Sequence, residues 1–380
     1  DFIFIAILIL LEYLVLKLYK IMKFIERLNQ WEKDKAEYRI KFFLDPYFIA
    51  EIGVNHEGSL KNAKAIIKEA FENGANAVKF QSYKADKLTS IESPAYWDTN
   101  SESTQSQYEL FKKYDVLDTE DYFELKNYSD ELGVEFLTTP FDDSFVDALD
   151  EILEFYKVAS ADLTNYLLLK KIASKNKPII ISTGASTKEE IDSTLEFLSG
   201  FNVPIILNHC VLSYPTDIEN ANIGMIEDLC NSYPENIIGY SDHTPPSSDF
   251  FVQIFSSLLG ASFIEKHFTI DKSLPGNDHY HSFDGKDLKQ YKDKLKELKT
   301  LYGENIKSVI DIELPARENA RRSLVFSSSL KKGTILEEKH FIPKRPGTGI
   351  PVNEINKIIG EKLNHDINKD DFFEYKLIEE

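Results

Sequence analysis

Two histidines, two glutamates and two lysines carry most of the chemistry legible in this chain. His243 closes the run Ile237-Ile-Gly-Tyr-Ser-Asp-His243, and His267 sits in Phe263-Ile-Glu-Lys-His-Phe268. Imidazoles at the ends of neighbouring strands can share a metal and leave coordination positions open. That suits a divalent first-row ion such as manganese, with magnesium or cobalt as alternatives. Glu265 precedes His267 by two residues, so both point to one side of a strand. Glu51 ends Phe48-Ile-Ala-Glu-Ile-Gly53, where a buried carboxylate must be paired or reactive. Lys79 and Lys157 occupy similar runs and could hold a carboxylate or phosphate, or form a Schiff base if their pKa is depressed. Thr139, Ser160, Ser182 and Ser241 would complete an anion cradle, and Tyr214 offers a hydroxyl to a polyol. Each hydroxyl alone reads as structural. Together they describe a pocket for a phosphorylated acid and a polyhydroxylated partner beside a metal.

These residues need elements that bring them to one place. Strand-like runs are expected over 48–53, 77–82, 134–140, 156–160, 178–184, 204–210, 237–243 and 263–268. Most start apolar and finish polar, and helix-length segments separate most of them. This is the layout of a (β/α)8 TIM barrel, whose catalytic groups lie at the C-terminal ends of parallel strands. Ser59 is a plausible N-cap for a helix carrying Ala63, Ile66, Ile67 and Ala70 on one stripe, which stops at Asn73-Gly74. Thr187-Lys-Glu-Glu190 reads as a capping box. Between Ser82 and Val134 the connection is far longer than an ordinary βα loop, with a helix expected only in its second half. Its Trp97-bearing first half is either a substrate wall or a surface excursion.

The chain has 380 residues, 42% of them hydrophobic, enough for one large domain and a smaller one. A formal charge of −19 argues against a nucleic-acid surface. Cys210 and Cys230 make no disulfide framework, which fits a reducing cytoplasm. At the N-terminus, the apolar run from Phe2 to Leu11 is shorter than the about 20 residues a span needs. The expectation is that translation starts at Met22 and residues 1–21 are upstream sequence, with a membrane anchor as the less favoured alternative. The expected divisions are an N-terminal segment 1–45, a barrel 46–303, a linker 304–319 and a small, mainly β module 320–380 punctuated by Gly and Pro.

Four stretches resemble the sialic acid synthase family: Phe48-Ile-Ala-Glu-Ile-Gly-Val-Asn-His-Glu-Gly-Ser59, Ala77-Val-Lys-Phe-Gln81, Gly239-Tyr-Ser-Asp-His-Thr244 and Glu265-Lys-His-Phe-Thr269. Lys157-Val-Ala-Ser160, Ser182-Thr-Gly184 and Lys344-Arg-Pro-Gly347 extend the likeness from about residue 47 to the C-terminus, the last resembling the family's antifreeze-like SAF (β-clip) domain. The resemblance implies condensation of phosphoenolpyruvate with the open-chain aldehyde of an N-acyl hexosamine, giving a nine-carbon 2-keto sugar acid and phosphate. By similarity, His243 and His267 hold the metal and Glu51 handles the protons of the added water. Lys79, Thr139, Lys157, Ser160, Ser182 and Ser241 bind phosphoenolpyruvate, while Gln81, Tyr214, Glu265 and Asp278 face the sugar or metal. Arg345 matches an arginine that reaches into a partner's barrel, which implies a domain-swapped homodimer.

Two departures bear on the substrates, the first on a hydrogen bond to the sugar and the second on a side-chain contact to phosphoenolpyruvate. Ala161-Asp162 stands where some members have Gly-Glu, and Leu212 where some have asparagine. The loop Gly276-Asn-Asp-His-Tyr-His281 is rich in potential donors and could favour a different sugar. The substrate is open among N-acetylmannosamine, its 6-phosphate and the precursors of legionaminic or pseudaminic acid. Two rival readings are a Schiff-base aldolase using Lys79 or Lys157 and a non-catalytic sugar-binding protein.

Overall fold

The computed structural model describes residues 45–378, apart from 96, 98, 100, 101, 277 and 305; the N-terminal run and Met22 lie outside the described residues. Eight parallel strands form the core: β1 Tyr47–Gly53, β2 Ala77–Ser82, β3 Glu135–Pro140, β4 Tyr156–Val158, β5 Ile179–Ser182, β6 Ile205–Cys210, β7 Ile237–Asp242 and β8 Phe263–His267. Ladders join them in the order β3-β2-β1-β8-β7-β6-β5-β4, and β3 also lies against β4, so the sheet curls almost fully round. All eight expected runs are strands, most within two residues of the expected bounds. The fourth is shorter because Ser160–Asp162 turn into a 3-10 helix.

Nearly every strand residue is buried, because outer faces meet helices while inner faces meet one another. The outward set, including Phe48, Ala50, Ile52, Val78 and Phe80, packs under the helices. A second cluster, Tyr47, Ile49, Ala77, Leu137, Phe155, Ile180, Ile206, Ile237 and Phe263, plugs the lower barrel. Two residues further along each strand the inward position changes chemistry: Glu51, Lys79, Thr139, Lys157, Ser182 and Glu265 stand above that plug. The alternation of the pleat therefore builds an apolar floor and a titratable layer above it.

Local signals position the surrounding helices. In helix α1, Leu60–Glu72, the Ser59 hydroxyl accepts from the Asn62 amide and Ala63, Ile66, Ile67 and Ala70 are buried. Burying each isoleucine contributes about 1.5–3 kcal/mol. Thr187 and Glu190 form the expected capping box. The long connection holds α2 Ala85–Leu88, α3 Gln107–Tyr114 and α4 Thr119–Leu132, more helix than its sequence suggested.

The chain divides into two compact units at Gly303/Glu304. In the second unit, Leu314–Ala320, nearly all of it expected as linker, form a short helix, and β9 Ser323–Phe326 pairs antiparallel with β10 Phe341–Lys344. Leu324, Phe326, Leu336, Phe341, Ile358, Leu363, Ile367 and Phe373 make its core. Regular strand is sparser than expected, isolated bridges such as Leu330↔Ile367 doing the rest. Among the described residues no helix is long and apolar enough to cross a membrane.

Candidate active site

The titratable layer is a network of alternating charge. Lys79 Nζ lies 2.6 Å from Glu51 Oε2 and 3.6 Å from Glu265 Oε1, and donates to Thr139 Oγ1 at 3.1 Å. Lys157 Nζ donates to Ser182 Oγ (2.8 Å) and the Val158 carbonyl (3.1 Å), and lies 3.7 Å from Glu265 Oε2. Ser241 Oγ donates to Glu265 Oε1 at 3.0 Å, and Ser160 Oγ accepts from the Gly184 amide at 3.0 Å. Strand register explains the pairing, since Glu51 stands opposite Lys79 on one side and His267 on the other.

Burial decides how these groups are charged. It pushes the Glu51 carboxyl above its ordinary value despite Lys79 alongside. Glu265 is also desolvated, but Lys157 and Lys79 outweigh this and hold it below the usual range. Burial opposes the Lys79 ammonium, which Glu265 and Glu51 nonetheless keep charged, whereas Lys157 is drawn below the lysine range by burial that Glu265 only partly offsets.

Beside this layer stands a cluster of imidazoles. The rings of His243 and His267 are 5.4 Å apart, and the Tyr214 ring lies 4.1 Å from His243. His243 Nδ1 donates to the Val211 carbonyl at 2.9 Å, which leaves Nε2 with the lone pair, the tautomer of a metal ligand. Burial lowers His243 to about 4, and lowers His267 well below its ordinary value with further repulsion from His281 and His243. Neutral imidazole is the ligating form. Asp278 Oδ2 is 3.6 Å from His267 Nδ1, and burial, then Glu51, raises its carboxyl to about 7. His267 Nδ1 and both nitrogens of His281 are buried without a hydrogen-bond partner among the described residues. One ligand atom each from His267, Asp278 and His281 lie within 4.8 Å of one another. Neutral imidazoles with orphaned nitrogens beside an anion-capable carboxyl fit a divalent cation.

The two halves meet at Gly53. Gln81 Nε2 donates to Glu51 Oε1 at 3.0 Å. A Cβ on Gly53 would come within 3.2 Å of Glu51 Oε1, 3.3 Å of Gln81 Nε2 and 3.7 Å of Asp278 Oδ2, and φ is +53°. Only glycine fits both constraints comfortably.

A cavity of about 480 Å³ opens over Gln81, Asp162, Tyr214, His267 and Asp278. Its outer wall includes Leu88, Trp97, Phe111 and Tyr114 from the long connection, together with Leu212, so that segment is a wall of the site. Among the described residues, no lysine or arginine lines it. Asp162, raised by burial, accepts from Asn165 Nδ2 at 2.9 Å. Arg345 is exposed just after β10 in the second unit. His281 was not singled out as a ligand from sequence. Its spacing of three from Asp278 was the available signal, in a loop without strand periodicity.

Comparison with known proteins follows this geometry. The sequence profile of the NeuB family matches residues 66–307, and that of the SAF domain residues 321–379. The N,N'-diacetyllegionaminic acid synthase of Legionella pneumophila is 36% identical over 330 residues, covering 85% of this chain and 91% of the relative. The N-acetylneuraminate-9-phosphate synthase of Homo sapiens is 28% identical over 338 residues, covering 88% of this chain and 92% of the relative. The crystal structure of the N-acetylneuraminic acid (sialic acid) synthetase of Leptospira borgpetersenii superposes with a TM-score of 0.62 at 30% identity, over 72% of this chain and 90% of that one.

Proposed function

The chain belongs to the NeuB family and is an enzyme of the sialic acid synthase type, and from that premise we propose that it condenses phosphoenolpyruvate with the aldehyde of an uncharged N-acylated hexose. The product is a nine-carbon 2-keto sugar acid, and phosphate leaves. One observation carries this reading: a layer of lysines and hydroxyls abuts an imidazole–carboxylate cluster, beneath a cavity with no cationic lining among the described residues.

Lys79, Lys157, Thr139, Ser160, Ser182 and Ser241 bind the carboxylate and phosphate of phosphoenolpyruvate, the lysines turning from glutamate to the incoming anion. Carbon 3 then attacks the aldehyde carbon, the aldehyde oxygen takes a proton, and positive charge develops at carbon 2. Water adds at carbon 2, and Glu51 accepts its proton, a role suited to a carboxylate whose pKa burial has raised. Collapse of the tetrahedral adduct breaks the C–O bond to phosphate. Glu265 keeps the two ammonium groups apart and oriented. His243 and His267 would hold a divalent ion, manganese or else magnesium or cobalt, which would supply Lewis acidity towards the aldehyde. Gln81, Tyr214 and Asp162 orient the sugar, and Asp278 faces the sugar or the ion.

A sugar 6-phosphate would set a dianion against a wall that contains Asp162 and Asp278 and, among the described residues, no cation. Leu88, Trp97, Phe111 and Leu212 suit acyl methyl groups instead. A legionaminic-type precursor with two acylamino groups is therefore favoured over N-acetylmannosamine 6-phosphate. We also infer a homodimer in which Arg345 serves the partner's barrel, in the cytoplasm where phosphoenolpyruvate is made.

The test is phosphate release from phosphoenolpyruvate with each candidate sugar and its 6-phosphate. Release that requires an uncharged sugar and a divalent ion supports the proposal. Release only with a 6-phosphate overturns the substrate class. Metal-independent activity trapped by borohydride would replace the mechanism with a Schiff-base aldolase at Lys157 or Lys79.

A further inference from the structure

We propose that His281 is a third imidazole ligand of the divalent-ion site, acting with His267, Asp278 and the facing His243. This rests on the metal-dependent reading given above and deepens it.

His281 is fully buried, yet among the described residues neither ring nitrogen has a hydrogen-bond partner. A neutral imidazole carries one N–H donor and one acceptor, and leaving both unmet in the interior costs free energy. The ring is aimed at other ligand groups. It stands edge-on to His267 at 4.9 Å, and it offers an atom within 4.8 Å of ligand atoms on His267 and Asp278. Ligands of one ion lie about 3–4 Å apart when each is about 2.1 Å from it. The 3.6 Å between His267 Nδ1 and Asp278 Oδ2 is of that size, and small side-chain rotations bring in the third.

The loop that carries His281 is held in place rather than left to chance. Asn55 Nδ2 donates to both the Phe268 carbonyl and Ser282 Oγ at 3.0 Å, and Thr269 Oγ1 meets His279 Nδ1 at 2.8 Å. The Phe283 amide then donates to the His267 carbonyl at 2.8 Å. The chain after β8 thus folds back and lays residue 281 beside residue 267. Three imidazoles favour borderline ions such as cobalt(II) over manganese(II) more strongly than two do.

The experiment uses the full chain, stripped of metal with a chelator and titrated with cobalt(II) and manganese(II) separately. Affinities come from competition with a chromophoric chelator. The number of imidazole nitrogens coupled to manganese(II) comes from pulsed electron paramagnetic resonance. His281→Phe keeps the ring volume and His281→Asn is smaller; circular dichroism identifies whichever folds. Three coupled imidazoles in the unaltered protein, two in the variant, and a loss of roughly 10- to 100-fold or more in cobalt affinity support the proposal. Two coupled imidazoles in both, with affinities within about twofold, overturn it and leave the metal-dependent reading standing. A folded unaltered protein that binds neither ion overturns both. A change confined to the KM of the sugar, with metal affinity unmoved, also overturns it and makes His281 a sugar contact.

Discussion

Next to His243 and His267 in sequence, Asp242 and Lys266 form an ion pair whose removal has a calculable cost. They stand opposite each other in the β7–β8 ladder, Nζ to Oδ2 at 2.9 Å, with both side chains fully buried. Asp242 Oδ1 also accepts from the Thr244 amide and hydroxyl at 2.8 Å and from Tyr240 OH at 3.0 Å, and Oδ2 accepts from Gln253 Nε2 at 2.6 Å. Lys266 donates in addition to the Thr244 carbonyl. In Asp242→Asn, the amide sets N–H donors against donors and leaves the ammonium unpaired, a loss of about 3–5 kcal/mol. In Lys266→Met the carboxylate keeps its four neutral donors, so the loss is smaller, about 2–3 kcal/mol. The double variant buries no charge and should cost at least about 2 kcal/mol less than the two single losses added together. Urea unfolding of the full chain, followed by circular dichroism, measures all four corners of this cycle. A loss under about 1 kcal/mol in Asp242→Asn, or additivity within about 0.5 kcal/mol, would refute the reasoning. The pair also ties together the strand ends that carry His243 and His267, so folded Asp242→Asn protein should bind cobalt(II) more weakly. Burial alone would raise the Asp242 carboxyl, but Lys266 and the Thr244 amide hold it below the usual range. Its contribution is therefore present above about pH 4 and disappears as acid protonates it.

His56 is buried and its Nδ1 accepts from the Gly58 amide at 3.0 Å, and burial lowers it to about 4. Its contribution is full above about pH 6.5 and falls by about 3 kcal/mol as pH drops towards 4. In His56→Asn that part of the acid dependence should vanish; urea midpoints at pH 7 and 4.5 that shift equally in both proteins would contradict it. A Cβ on Gly239 would lie 2.3 Å from Asn208 Oδ1 and 3.0 Å from the Phe263 carbonyl. Gly239→Ala should cost about 1–3 kcal/mol by overpacking, read from the same unfolding curves. Trp97→Ala should raise the KM of the sugar and spare that of phosphoenolpyruvate, since Trp97 lines only the outer cavity. If Arg345 serves the partner barrel, mixing inactive Arg345→Ala and His267→Ala chains should restore about a quarter of the activity, and no recovery after subunit exchange would count against the dimer.

What could be read from sequence follows the repeat of the strand. A two-residue period fixes which side chains of a strand share a face, so Glu265 and His267 can be assigned to one face from sequence alone, and Glu51, Lys79 and Lys157 to strand ends. The same period fails where backbone leaves the ladder. Asp278 was reached through family likeness, and His281 was only one donor in a polar loop, because nothing periodic says that Asn55, Thr269 and Ser282 would turn that loop back onto β8. The long connection was equally opaque: its wall is built by Leu88, Trp97 and Phe111, which no strand or helix period links. This division has a chemical consequence. The groups proposed to handle phosphoenolpyruvate sit mostly on strands, whose geometry the whole barrel enforces, whereas those proposed to meet the sugar come largely from loops. The substitution of Asp162 for glutamate falls in the second set, where a changed side chain alters the cavity without disturbing the ladder. On this reading sugar choice can shift while the anion layer stays fixed, and Asp162→Glu should move the ranking of sugars more than it moves the KM of phosphoenolpyruvate.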